Sequence, residues 1–282
     1  MSAVAQPTAI TPMTNSARTT GSGISDRLPG IGGLLLAQIR YQARLLAGGR
    51  TLVIGVGLPV ILLIASTNGH ARATASSVAG RAVFGLTLTA WNTYGIRLVV
   101  AREAGVLKRW RATPLPRWAY FVGRIVATVV VSMLAGAATV LVAVVLYNTH
   151  LSVASALAVL LVFVLGAAAW AACATAVASV IPTVEAASPI MILIYFPVVI
   201  ISGVIGSMSQ PQWLSTLASY LPAEPLVHGV TTALRHTAGT PLLSIHDLVV
   251  LAVWTLVGLL IAVAVFRWEP HHPTQRRPAR IR

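Results

Sequence analysis

The chain has 282 residues, 56% of them hydrophobic and only 9% charged, with a formal net charge of +14. A soluble domain carries about 25% charged residues, so an ordinary soluble core is excluded, and the apolar residues fall in blocks near the ~18 that mark a bilayer-spanning helix. On such a protein the positive excess reads as topology, with basic residues gathered on cytoplasmic loops, rather than as a nucleic-acid surface.

Residues 1–30 are rich in Ser, Thr, Ala, Gly and Pro and lack the apolar core of a signal peptide. They read as a disordered cytoplasmic tail. In "IGGLLLAQIRYQARLLAGGR" (31–50), Arg40 and Arg44 lie one helical turn apart among Leu and Ile. The pattern predicts an interfacial helix with its Arg heads toward lipid phosphates; the alternative is an N-terminal extension of the first span.

Six spans follow, at about 51–67, 82–101, 119–147, 151–181, 187–206 and 248–266, each near the ~20 residues that a crossing helix needs. Cys173, the single cysteine, lies inside the fourth among Ala and Trp and reads as a packing residue. With both termini inside, seventeen of the twenty Lys/Arg face the cytoplasm, and only Arg72, Arg81 and Arg235 face out. Between spans five and six, about 207–236, "QWLSTLASYL" stands between Pro211 and Pro222, and "PLVHGVTTALRHT" follows. These predict two short helices forming an outer re-entrant hairpin, covered by protein as non-spanning backbone in a bilayer must be. Residues 269–282 form a basic cytoplasmic tail. No internal repeat supports an inverted-repeat carrier.

The chemistry-bearing residues are few. A P-loop needs Gly-Lys-Ser/Thr after a Gly-rich turn; the only lysine is Lys108, between Leu107 and Arg109, so the chain cannot build one. The six acidic residues fall outside the predicted spans or at their ends, Glu185 nearest to burial, which gives little support to ion coupling. The histidines make no metal set: His228 and His236 are eight apart, and His271 and His272 lie in the tail. No nucleophile–base pair stands out. Arg97 can snorkel from the inner end of the second span. Asn92 and Tyr94 in that span could line a pathway or bridge helices.

"REAGVLKRWRATPLPRW" (102–118) is the densest polar patch between apolar blocks. Glu103, Leu107 and Trp110 share a helical face, extended by Val106. Lys108, Arg109 and Arg111 cover much of the rest, and Pro114 ends the helix. A short amphipathic helix at about 102–113 results, which could rest on anionic lipid or seat its apolar knob in a partner.

This stretch resembles the cytoplasmic signature of type-2 ATP-binding-cassette export permeases, with Arg102, Glu103, Gly105, Leu107, Arg111, Thr113, Pro114 and Leu115 at matching places and Trp110 where Leu is more usual. A second match runs through Ser202-Gly203, Pro211-x-Trp213-Leu214, Leu221-Pro222 and Leu234-Arg235, similar to the family's exit-side hairpin. An acidic residue often present near the Ser-Gly in relatives has no counterpart, which leaves the substrate type open.

The resemblance covers about 31–268. It implies an all-α integral membrane fold of six transmembrane helices, with the interfacial helix, a cytoplasmic coupling helix and the outer hairpin. It implies a bacterial inner-membrane permease that is not itself an enzyme and carries no metal or cofactor. Two cytoplasmic P-loop ATPase subunits would hold ATP and Mg, and a second permease copy or paralogue would complete the pathway. Arg102, Glu103, Gly105, Val106, Leu107, Trp110, Arg111, Thr113 and Pro114 would form the ATPase-docking element. Asn92, Tyr94, Tyr195, Phe196 and Ser202 are candidate pathway residues, and Pro211, Trp213, Pro222 and Arg235 mark the outer hairpin. The apolar second and fifth spans favour a hydrophobic or amphipathic exported substrate. The rival readings are an ion-coupled or passive carrier, which would depend on Glu185, and a membrane-bound enzyme or sensor.

Overall fold

Long runs of Leu, Val, Ala and Ile satisfy their backbone within the segment only as helices when water is absent, and the computed structural model of the chain is built accordingly. It describes Gly33, Leu36, Ala37, Arg40, Tyr41 and Arg44, and residues 53–66, 73–104, 117–148, 151–205, 211–237 and 240–265. These are helices and connecting turns, with no strand among the described residues.

A π segment, Val53–Gly57, leads into α1 (Leu58–Ser66). Then α2 (Ala75–Thr87), a π segment (Leu88–Thr93) and α3 (Tyr94–Glu103) run on as one rod. The long helices are α4 (Arg117–Tyr147), α5 (Val153–Val180), α6 (Val184–Ile201) and α9 (Ile245–Val265), with short α7 (Gln212–Ser219) and α8 (Ala223–Leu234) before the last. Four helices, α4, α5, α6 and α9, are long and apolar enough to cross a membrane, and Val53–Ser66 is a shorter apolar helix. At 1.5 Å per residue the rod reaches ~43 Å, also a spanning length.

The second predicted span begins at Ala82, but the rod begins at Ala75, because Thr74 caps it: its hydroxyl accepts from the Ser77 amide at 3.2 Å. Sequence hydropathy misses this turn because Ser76, Ser77 and Arg81 dilute it. A row of buried positions runs 78/79, 82/83, 86/87, 90/91, 94/95, 98/99 and 102. That spacing of four exceeds the 3.6 of an α-helix, and the wider π turn absorbs part of the drift. Trp91 and Tyr94 thereby stay on one side.

The hub is α5, which packs against α9, α8, α4 and α3. Its stretch Gly166–Ser179 is mostly Ala, and small residues let backbones approach. A Cβ on Gly258 of α9 would stand 2.9 Å from the Ala172 carbonyl carbon and from the Cys173 amide nitrogen. Cys173 is thus a packing residue at the α5–α9 contact. By contrast α6 is peripheral. It buries a single stripe, Ala187, Met191, Tyr195 and Val199, and exposes Leu193, Phe196 and Ile200. Hydroxyls within the spans return to their own helices: Thr87, Thr139, Thr175 and Ser179 each donate to the carbonyl four residues earlier.

Candidate functional site

Helix α5 ends without a glycine cap or a basic residue in its last turn; its C-cap, Ile181, is extended and precedes Pro182. Its last carbonyls need donors from elsewhere. Arg102, only 2% exposed, supplies them. One guanidinium nitrogen donates to Ser179 O at 2.9 Å and Ala178 O at 3.2 Å, and the other to Ile181 O. A cation at a helix C-terminus also complements the helix dipole, and the planar guanidinium fork suits several acceptors at once.

Glu103 completes the junction. Its Oε1 accepts from the Val184 amide, the first of α6, at 2.8 Å, while the Thr183 hydroxyl accepts from Ala186 at 3.3 Å. Two adjacent side chains of opposite charge therefore cap two helix ends of opposite polarity across one turn. The other docking candidates, Gly105, Val106, Leu107, Trp110, Arg111, Thr113 and Pro114, lie outside the described residues. Glu185 is exposed in the first turn of α6, where a carboxylate complements the dipole.

The pathway candidates divide. Tyr94 and Tyr195 are wholly buried and hydrogen-bonded: Tyr94 Oη lies 2.8 Å from Thr175 Oγ1, and Tyr195 Oη lies 2.9 Å from Thr87 Oγ1. They bridge helices. The Arg124 guanidinium sits 5.4 Å over the Tyr94 ring, a cation–π contact. Trp91 donates from Nε1 to Met191 O at 2.8 Å, and Trp170 meets Trp91 and Tyr195 edge-on at 5.5 and 5.7 Å. Asn92, in the π segment, is half-buried, and its Oδ1 has no hydrogen-bond partner among the described residues; nor has the buried Ser202 hydroxyl. Phe196 is 43% exposed on the open face of α6. An apolar recess of about 530 Å³ lies between α4 and α5, lined by Leu134, Val140, Leu141, Val144, Val159 and Phe163 among others; none of these candidates lines it.

At the other end, α6 stops in a Schellman turn. Gly203 takes φ 67°, its amide donates to Ile200 O at 3.2 Å, and the Val204 amide donates to Val199 O at 3.3 Å. This is what the Ser-Gly pair does. Gly80 of α2 lies against it, and Arg81 donates to Ile205 O at 2.5 Å. Of the hairpin residues, Pro211 and Trp213 are exposed, Pro222 is buried just before α8, and Arg235 is an exposed C-cap. Sequence reasoning did not anticipate the pairing of His228 with the buried Asp247, Nδ1 to Oδ2 2.6 Å, with His246 at 3.4 Å. Among the described residues no group of three or more His, Cys, Asp or Glu is placed to hold a metal ion.

The sequence profile of the ABC-2 type transporter matches residues 40–234. The chain belongs to the ABC-2 type transporter family. It is a membrane protein and the membrane component of an ABC-type transporter. No individually curated protein matches it. The profile spans the rod, the clamp at Arg102–Glu103, α6 and both short helices, so the ABC-2 permease carries its two capping junctions inside the region that defines its family.

Proposed function

We propose that this permease is the transmembrane subunit of an ATP-driven exporter that moves a hydrophobic or amphipathic substrate, such as a drug, an antibiotic or a lipid-like metabolite, out across the bacterial inner membrane. Two separate P-loop ATPase subunits bind ATP and Mg and power it, and a second permease copy or paralogue completes the pathway. Six crossings, Val53–Ser66, the rod, α4, α5, α6 and α9, put both termini and the Arg102–Glu103 end in the cytoplasm. Helices α7 and α8 form the outer re-entrant hairpin. Asn92, Ser202 and Phe196 are the pathway candidates that keep an unpartnered polar atom or an open face; Tyr94 and Tyr195 brace the wall behind them.

The observation that carries this reading is the ABC-2 match on a chain that has no P-loop. We place the energy source on a separate ATPase subunit, and residues 104–113, which follow the Arg102–Glu103 clamp, are the proposed entry point. Leu107 and Trp110 would fill a socket on the ATPase, with Val106 beside them and Arg111 at the rim; Gly105, Thr113 and Pro114 would set the turns at its two ends.

The test is co-expression with a P-loop ATPase encoded beside it. Leu107→Ala/Trp110→Ala is expected to lower the co-purified ATPase by about tenfold or more, since two buried anchors of this kind carry ~2 kcal/mol or more. Full retention of ATPase and of ATP-dependent export would remove the docking assignment. The exposed, first-turn position of Glu185 gives the ion-coupled reading no specific support.

A further inference from the structure

The rod and α6 are joined at three levels, and each level includes a grip on main chain. At the Glu103 end the carboxylate holds the Val184 amide. In the middle Trp91 holds Met191 O, and Thr87 meets the Tyr195 hydroxyl. There Met191 Cε also fills the notch left by Gly95, where a Cβ would stand 2.1 Å from it. At the far end Arg81 holds Ile205 O, and Gly80 is pressed against Val204 O.

Bonds to backbone groups follow the helix itself rather than a mobile side chain. The buried stripe of α6 is the side that meets the rod, with lesser contacts to α5 and α7. Among the described residues the other contacts of α6 are few.

We infer that the rod and α6 are one lever. Arg81, Trp91 and Glu103 are its positioning residues, and Arg102 ties the foot of the lever to α5. Because the coupling segment continues directly from Glu103, a push delivered there reaches the loop at 203–205 without the two helices sliding. Glu103 then acts inside the permease rather than on the ATPase surface. This rests on the permease reading, and the experiment separates the two.

The full chain is used in a Cys173→Ala background, in membranes, with and without the ATPase. In the first arm the pairs Glu103→Cys/Val184→Cys and Arg81→Cys/Ile205→Cys are bridged with a short bifunctional thiol reagent in the chain alone. Both are expected to bridge in most chains. Failure at either end overturns the lever, whether or not an ATPase exists.

In the second arm the same bridges are compared in the nucleotide-free and the ATP–vanadate complex. Yields are expected to match, and a change above about threefold at either end overturns the lever. In the third arm, maleimide labelling of Ile205→Cys is expected to differ between those two states. Glu103→Ala shrinks that difference at least about fivefold while the ATPase still co-purifies, and Glu103→Gln, which keeps the acceptor oxygen, restores it. An unchanged difference in Glu103→Ala, or loss of the ATPase from the complex, overturns the role given to Glu103. If no ATPase co-purifies even with the unaltered chain, the permease reading fails while the first arm still judges the lever.

Discussion

Arg102 shows how much one side chain carries in a membrane. Removing it leaves three carbonyl groups at the end of α5 without their donors, and each orphaned group costs about 1–3 kcal/mol. Arg102→Ala is expected to fail to accumulate folded in membranes. Arg102→Lys, with no planar fork, should accumulate and melt several degrees lower in detergent. The Thr87–Tyr195 bridge is a smaller matter, because Thr87 also donates to Val83 O. A Thr87→Val/Tyr195→Phe double-mutant cycle should return a coupling of about 0.6 kcal/mol, the average for such bonds in a membrane protein, and no more than about 1.7 kcal/mol. Glu224 sits half-buried near His228, Asp247 and His246. Burial pushes its carboxyl above the ordinary range, opposed by His228, reinforced by Asp247 and opposed again by His246. A raised carboxyl pKa makes ionisation destabilising to the folded state. The penalty is absent below the ordinary Glu range and grows as pH rises through the shifted value. Glu224→Gln should therefore raise the melting temperature near about pH 7 and leave it unchanged near about pH 4.

At the scale of elements, two glycines make opposite demands. Gly203 is needed for its φ of 67°, so Gly203→Ala strains the Schellman turn. About 1–2 kcal/mol is expected, read as a lower melting temperature and faster proteolysis after α6. Gly258 is needed for space, since a Cβ there would meet α5 backbone. Gly258→Val should separate α5 from α9 and cost more than the Gly203 change. Much of this framework was legible in the sequence. The bodies of α4, α5, α6 and α9 follow from unbroken apolar runs, and α7 lies between Pro211 and Pro222 as its punctuation requires. The π segment was not legible, because Leu88–Thr93 has no residue that distinguishes a π from an α turn. Pro189 and Pro197 lie inside α6, where sequence rules alone would place a break. The signature at 102–115 was legible as a motif, but the work of its first two residues was not. Arg102 answers the missing cap at the end of α5, and Glu103 adds an acceptor beside Thr183 at the start of α6, each some eighty positions away, and nothing local announces that. The signal available was the end of α5, an apolar helix finishing at Ile181-Pro182 with neither Gly nor a cation to close it.

For the whole molecule, the clamp fixes which ends lie together. Glu103 and Val184 share one end, and the turn after α4 at Asn148 and the turn after α6 at Ile205 lie toward the other. Single cysteines at Thr183 and Ala104 should be labelled by a membrane-impermeant maleimide only from the cytoplasmic side, and cysteines at Asn148 and Ile205 only from outside. Labelling of Thr183→Cys and Ile205→Cys from the same side would break the six-crossing arrangement.

The chain is made from its N-terminus, so Arg102 and Glu103 leave the ribosome some eighty residues before the groups they cap. At 5–20 residues per second that is a wait of roughly 4–16 s. The end of α5 therefore emerges only after the side chain that caps it has been made. Order of synthesis thus does for this turn what a local glycine or serine does elsewhere. A circular permutant that made α5 and α6 first would leave the end of α5 without its Arg102 donors until the rod arrived.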